Sequence, residues 1–473
     1  MGSMTIRLLE LRPIITTYDA IVIGAGQAGG PLASAFAAAG RRTVLVEREH
    51  AGGTCINEGC TPTKTMIASA RVAYLARRAA DFGVETGEIR VNQTKIRDRK
   101  RAIVESFRSG SESRIVQTKG LVYLRGEASF SGPNRLKVAL STGDQEISSD
   151  LIVIDAGARP AAVAMPGLDS VRHFNSTTIM ELSETPDHLL IVGGGAIGVE
   201  FAQMFRRFGS RVTLLHHGSK LLGHEDGDVA DAVARILEDD GIAIHFNASA
   251  ESVRTHADSL VLTVAQDGRQ QKMTGSHLLL ATGRTPNTDR LDPGNAGINL
   301  DERGYIPVNE RLETNRPGIY AVGDINGGPA FTHISYDDYR ILKANLIDNG
   351  DRTTTNRDIP YCVFIDPELG RIGMSERQAR EKGFDVRIAK MPMTSVARAL
   401  ESDETRGFMK AVVDRPTGKI LGAAVLSVAG GELMTMIQIA MMGNLPFTTL
   451  RDATIAHPTL AESLNNLFSA LDQ

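Results

Sequence analysis

Two of the three cysteines in this 473-residue chain stand five residues apart, in Gly52-Gly53-Thr54-Cys55-Ile56-Asn57-Glu58-Gly59-Cys60-Thr61-Pro62-Thr63-Lys64. On an ideal helix that spacing separates the Cα atoms by about 8–9 Å. A disulfide needs less than about 7 Å, so the turn must be distorted if these two are to bridge. Asn57 and Gly59 tolerate the backbone angles of such a turn. Pro62 and Lys64 read as the first turn of a helix, whose positive end lowers the pKa of a nearby thiol. Thiols that can both bridge and ionise make a redox device; the competing reading is two unrelated core cysteines. The third cysteine, Cys362, lies in an apolar strand and reads as an inert buried thiol.

A second reactive constellation is His457-Pro458-Thr459-Leu460-Ala461-Glu462. Histidine titrates near neutrality, and a carboxylate partner orients it. Dithiol exchange needs one thiol deprotonated and the leaving thiolate reprotonated, so an acid–base group complements a thiol pair. A structured His-Pro turn is the plain alternative. Met434, Met436, Met441 and Met442 share one helix near the C-terminus. Thioethers can bind soft metals, but such a stripe reads as packing or a subunit interface, and no resident metal is expected.

These groups must be held by elements, and two segments repeat one pattern. Residues 19–23 form an apolar strand running into Gly24-Ala25-Gly26-Gln27-Ala28-Gly29, an Ala-rich helix and a second strand ending at Glu47. Residues 189–192 run into Gly193-Gly194-Gly195-Ala196-Ile197-Gly198, a helix over 199–208 and a strand over 211–215. Both are βαβ units with the G-x-G-x-x-G fingerprint. The first glycine makes the tight turn, the second admits a pyrophosphate to the helix N-terminus, and the third permits close helix–strand packing. The chain therefore reads as binding two different dinucleotides. Glu47 supplies the carboxylate that accepts from an adenosine ribose. The matching position in the second unit is His216, followed by His217, with Arg211 and Lys220 nearby. Such a site could tolerate a 2′-phosphate, or His216 is simply an exposed strand end, so NADH and NADPH both stay open. A third buried strand ends at Gly323-Asp324, whose carboxylate suits a ribityl or ribose hydroxyl. A helix starting after Thr332 could direct its dipole at a flavin ring. From about residue 356 the pattern becomes that of a separate α+β domain.

Composition excludes several classes. The balance of 52 Lys and Arg against 56 Asp and Glu, net −4, offers no basic field for nucleic acid or an anionic membrane. The apolar stretch over 20–40 is broken by glycines and lacks a basic flank, so it reads as neither a signal peptide nor a membrane span. Few cysteines and no targeting signal point to a reducing, cytoplasmic setting. Met1-Gly2-Ser3-Met4 reads as a tag scar.

The ordered motifs over residues 19–468, which also include Ala281-Thr282-Gly283-Arg284, resemble those of class I pyridine nucleotide–disulfide oxidoreductases such as dihydrolipoamide dehydrogenase, glutathione reductase and mercuric reductase. The resemblance implies an α/β fold: two Rossmann-like dinucleotide-binding domains (FAD and NAD(P)) plus a C-terminal α+β dimerisation domain, working as a homodimer. The expected divisions are an N-terminal extension (1–16), an FAD domain (17–165), an NAD(P) domain (166–285), a central domain completing the FAD site (286–355) and a dimerisation domain (356–473). Gly24, Gly26, Gly29, Glu47, Gly53, Thr54, Asp324 and Thr332 would hold FAD. Gly193, Gly195, Ile197, Gly198, His216 and Gly283 would hold the nicotinamide dinucleotide. The resemblance makes Cys55–Cys60 the redox-active disulfide, with Cys60 beside the flavin and Cys55 facing substrate. It pairs Lys64 with Glu200 beside the nicotinamide and sends His457 and Glu462 across the dimer to the partner's thiol.

Within the family the motifs divide. Residues 396–400 and 403–408 are similar to mercuric reductases, which carry a second C-terminal cysteine pair that this chain lacks. Residues 332–340 and 462–465 are more similar to bacterial flavoenzymes protecting against reactive chlorine species and hypothiocyanite. Two departures stand out: Asp155-Ala156-Gly157 replaces the usual Ala-Thr-Gly, and Glu58 places a carboxylate between the cysteines. The expected activity is NAD(P)H-dependent electron transfer through flavin and the Cys55–Cys60 disulfide to a small oxidant (hypothiocyanite, Cu(II) or another metal ion, or a disulfide). The alternatives are a dihydrolipoamide dehydrogenase, a mercuric reductase lacking the C-terminal pair, and a non-enzymatic flavin-bearing redox sensor.

Overall fold

A computed structural model describes residues 15–257 and 259–472. The predicted tag scar and most of the predicted 1–16 extension lie outside the described residues. The chain divides into two compact units. One is built from the chain up to Asn57 with Val104–Arg159 and Thr285–Thr355; the other takes Glu58–Ile103, Pro160–Arg284 and the remainder from Asn356.

The first unit centres on an eight-stranded sheet in the order Ile15–Thr17, Gly143–Ser148, Arg135–Leu140, Leu121–Gly132, Thr43–Glu47, Ala20–Ile23, Ile152–Ile154 and Ile319–Ala321. The last five strands run parallel. Their runs of Ile, Val and Ala are buried on both faces, as parallel strands require. The Ala-rich helix Gly29–Ala38 lays Leu32, Ala33 and Phe36 against this sheet. A second helix, Thr332–Leu346, adds Ile341 and Leu342 to the same core.

The second unit holds a four-stranded parallel sheet in the order Ala243–His245, Arg211–Leu215, His188–Val192, His277–Leu280. An antiparallel meander follows the third of these in sequence: Ala248–His256, Ser259–Gln266 and Arg269–Gly275. A five-stranded antiparallel sheet runs Tyr361–Val363, Glu368–Gly373, Ile420–Ser427, Phe408–Asp414, Val386–Pro392, with the helix Gly430–Met442 across it. This is the α/β architecture expected, with two Rossmann-like sheets and an antiparallel C-terminal sheet.

Two element ends have a clear physical reason. The helix predicted over 199–208 spans Ala196–Phe208, because Gly195 is its N-cap and Ala196-Ile197-Gly198 make its first turn. The strand Tyr361–Val363 stops short for a reason of its own. Beyond it the backbone N–H of Phe364 donates to Glu200 Oε1 at 2.8 Å and that of Asp366 to Gln203 Oε1 at 2.7 Å, so neither is left for a ladder.

Candidate active site

In the first unit the glycine turn leaves no room for side chains. A Cβ on Gly24 (φ +98°) would stand 2.2 Å from the Asp155 carbonyl oxygen, and one on Gly29 would stand 2.1 Å from Gly24 O. Gly53 (φ +60°) packs so closely that its Cβ would reach Gly26 Cα at 2.9 Å. Gly52 N–H donates to Ala25 O and the Gln27 amide donates to Gly52 O. The segment carrying Thr54 and Cys55 is thereby tied to the glycine turn. Glu47 closes its strand with Oε2 accepting from Ala25 N–H at 2.8 Å and Oε1 from Glu49 N–H at 2.7 Å. Asp324 sits on the short helix Gly323–Asn326, directly after the strand Ile319–Ala321, and Thr332 opens the helix Thr332–Leu346. A glycine cradle, a fixed carboxylate at the second strand's end and another carboxylate beyond a neighbouring strand fit FAD.

Cys55 lies half-buried on the one-turn helix Gly53–Asn57. Asn57 staples that turn: its amide donates to the carbonyls of Ala51 and Gly53, and its Oδ1 accepts from Arg108 Nε at 2.7 Å. The helix breaks at Gly59 (φ −118°, ψ −109°), and a new one, Cys60–Arg77, starts at the exposed Cys60. The two cysteines therefore do not share one regular helix, which is the condition their spacing sets for a bridge.

In the second unit Cys60 and Lys64 are one turn apart, which puts them on one helix face. Lys64 Nζ stands 2.8 Å from Glu200 Oε2 and 4.7 Å from the centre of the Phe364 ring. Glu200, only 5 % exposed, thus holds the lysine with one oxygen and the Phe364 backbone with the other. Glu58 has its own partner, since Thr177 Oγ1 donates to its Oε2. Cys362 is half-buried, and burial, with Glu368 and Glu200 beside it, pushes its thiol well above the usual range.

The second glycine turn is equally tight at two places: a Cβ on Gly193 would meet Ala281 O at 2.3 Å, and one on Gly198 would meet Gly193 O at 1.8 Å. A Cβ on Gly195 would meet nothing within 4 Å. That glycine leaves open space at a helix N-terminus, as a pyrophosphate site needs, and Ile197 lies in the same first turn. Gly283 takes φ +133° at the end of the neighbouring strand. His216 turns its Nδ1 to accept from Gly194 N–H at 3.2 Å. Burial first, then His217, lowers its pKa, so at neutral pH it is an uncharged imidazole.

His457 Nδ1 faces both oxygens of Glu462, at 2.8 and 3.1 Å. The carboxylate accepts, so Nδ1 carries the proton and Nε2 is left as the base, on a ring two-thirds exposed. The sequence reading missed the anchoring of Asn57 by Arg108, the second partner of Glu200, and a buried charge network in which Asp366 binds Arg71 and Arg207. Nothing in local spacing signals these, because each joins distant segments.

A glycine-cradled dinucleotide fold with a thiol-bearing helix beside it defines a flavin-dependent disulfide reductase, and sequence comparison agrees. Residues 18–338 match the pyridine nucleotide-disulphide oxidoreductase family and residues 359–468 its dimerisation domain. The chain belongs to this family. It is 40 % identical over 456 residues to a probable pyridine nucleotide-disulfide oxidoreductase, RclA, of Escherichia coli (strain K12), covering 96 % of this chain and 99 % of that protein. It is 34 % identical over 453 residues to a mercuric reductase of Streptomyces lividans, covering 95 % of each. Among solved structures it is similar to the Cu(II) complex of the HOCl-induced flavoprotein disulfide reductase RclA from Escherichia coli (TM-score 0.88, 38 % identity, 96 % of this chain and 99 % of that one). The protein is an oxidoreductase whose cofactors are FAD and NADH or NADPH. No helix among the described residues is long and apolar enough to cross a membrane.

Proposed function

We propose that this flavoprotein spends NAD(P)H to reduce a small oxidant, either an oxidised sulfur compound or a thiophilic metal ion such as Cu(II), at a Cys55–Cys60 disulfide. FAD and the nicotinamide, when bound, supply the two electrons. The chain's residues do the rest. Two electrons and two protons convert the disulfide to a dithiol. With a disulfide substrate, the Cys55 thiol gives its proton to Nε2 of the partner subunit's His457, and the thiolate so formed attacks one sulfur and releases the first thiolate, which takes that proton back. The Cys60 thiol then loses its proton, attacks Cys55, restores the protein disulfide and releases the second product thiolate, which takes up the proton that Cys60 gave. Glu462 holds the imidazole in the tautomer this requires. Lys64, paired with Glu200, places a fixed positive charge one turn beyond Cys60.

The observation that carries this reading is the close packing of Gly53, the start of the Cys55 helix, on Gly26 of the glycine turn. That contact, which ties the thiol-bearing segment to the first glycine turn, supports a thiol route beside the flavin. The 40 % identical relative and its Cu(II)-bound structure support the choice of oxidant class. The same reading takes residues 17–165 and 286–355 as the FAD-binding part, 166–285 as the NAD(P)-binding part and 356–473 as the dimer-forming part of a cytoplasmic homodimer.

The test is a thiol count followed by a turnover screen. Anaerobic NADH or NADPH should expose two new alkylatable cysteines per chain in the parent and none beyond the baseline in Cys55→Ser. Hypothiocyanite, Cu(II), Hg(II), dihydrolipoamide with NAD, and small disulfides are then compared side by side. Reduction of the best oxidant by Cys55→Ser at the parental rate would refute the thiol route.

A further inference from the structure

The two glycine turns of this chain share one contact. A Cβ on Gly24 strikes the carbonyl of Asp155, and a Cβ on Gly193 strikes that of Ala281. Asp155 and Ala281 therefore hold the same place, just beyond the strands Ile152–Ile154 and His277–Leu280. In the second turn that place carries a methyl, 3.7 Å from where a Gly198 Cβ would stand. In the first it carries a carboxyl. Asp155 Oδ2 accepts from Gly29 N–H at 2.7 Å and lies 2.5 Å from where a Gly26 Cβ would be. The side chain is 8 % exposed.

The charged groups acting most strongly on this carboxyl are acidic: Asp324 from the helix Gly323–Asn326, Glu47 from the end of its strand, and Asp338 from the helix Thr332–Leu346. Burial, against the lowering effect of the Gly29 bond, holds its pKa well above the usual carboxylate range. An FAD pyrophosphate seated on the N–H groups of this turn adds two more negative charges. An ionised Asp155 behind the same turn cancels part of the helix field that attracts them; a protonated one does not.

We propose that Asp155 couples FAD retention to a proton: the flavoprotein holds its cofactor with this buried carboxyl protonated and loosens it as the carboxyl ionises. The proposal rests on the first glycine turn being the FAD cradle. The sign follows from linkage. Cofactor raises the proton affinity of Asp155, so FAD is held tightest at low pH. Its dissociation constant climbs as pH rises through the carboxyl's pKa in the cofactor-free protein, and levels off above its pKa in the bound form. One proton permits at most a tenfold change per pH unit.

Dilution of the holoenzyme between pH 6 and 9, with released FAD read by its fluorescence, measures this directly. The dissociation constant should rise at least tenfold across the range in the parent. Asp155→Asn is neutral, keeps an oxygen for Gly29 N–H, and should hold the change below twofold. A flat parental profile, or an equally steep one in Asp155→Asn, overturns the proposal, as does a folded Asp155→Asn that cannot retain FAD. If that variant does not fold, proton release decides: FAD leaving the parent in weakly buffered solution should liberate up to one proton per chain, and none at any pH overturns the idea. A folded parent that carries no FAD at all refutes the cradle assignment itself, a different outcome from FAD bound without pH dependence.

Discussion

The chain separates thiols it uses from one it keeps silent. Cys60 is exposed, and Cys55 and Cys362 are both half-buried, but burial and neighbouring carboxylates raise the pKa of the Cys362 thiol and keep it protonated at physiological pH. Iodoacetamide at pH 7.5 should therefore label Cys55 and Cys60 after reduction and leave Cys362 unmodified, as peptide mass mapping would show. His216 gives a pH signature. Its lowered pKa places protonation below the ordinary histidine value of about 6.5, and the resulting cation would attract a 2′-phosphate. The preference for NADPH over NADH, measured as a ratio of kcat/KM values, should accordingly rise on acidification from pH 7 to 5.5, and His216→Gln should flatten it. Removing the proposed base, His457→Gln, should lower turnover by about 10²–10⁴-fold while leaving NAD(P)H-driven exposure of the two thiols intact.

At the scale of elements, the helix Ala196–Phe208 does most of the positioning in the second unit. Glu200, Gln203 and Arg207 recur at i, i+3 and i+7, so they share one face. From that face they hold the N–H groups of Phe364 and Asp366 and the Asp366 carboxylate. Burial alone would raise the Asp366 pKa; Arg207 and then Arg71 outweigh it and hold the carboxyl below its usual range. The stabilisation is present above the unfolded-state pKa of about 3.9 and is lost as pH falls through the depressed folded value. Asp366→Asn leaves two guanidinium groups facing a neutral amide. It should cost about 3–5 kcal/mol in urea unfolding at pH 7, and progressively less as pH falls below about 3.9.

For the whole molecule, the helix Gly430–Met442 accounts for its own four methionines. Leu433, Met434, Ile437 and Ala440 face the core, while Met436, Ile439 and Met442 form an exposed apolar stripe, with Ile439 63 % and Met442 67 % exposed. An exposed stripe on a domain of the dimerisation family suits a subunit interface. Ile439→Glu should shift sedimentation from dimer toward monomer and abolish turnover, because each site would lose the proposed base from its partner. Mixing makes a sharper test of that sharing. Coexpressed Cys55→Ser and His457→Gln chains should form mixed dimers with one complete site and recover turnover that neither variant has alone. Failure to recover any activity in purified mixed dimers would place His457 on its own subunit's thiol.

Residue type and local spacing were enough to reveal the two glycine turns, the cysteine pair at a helix start, the His–Glu pair and the class of chemistry. Each is a short-range requirement: a turn that tolerates no Cβ, a thiol near a helix N-terminus, an imidazole five residues from its carboxylate. What only the tertiary structure decided lies between distant segments. Asp155 meets Gly29 across 126 residues, and Glu200 meets Phe364 across 164. Spacing carries no signal for such contacts, since sheet order and packing alone bring those atoms together. That is why Asp155 read from sequence only as a departure from a motif, and in the fold becomes a buried carboxyl behind the cofactor cradle.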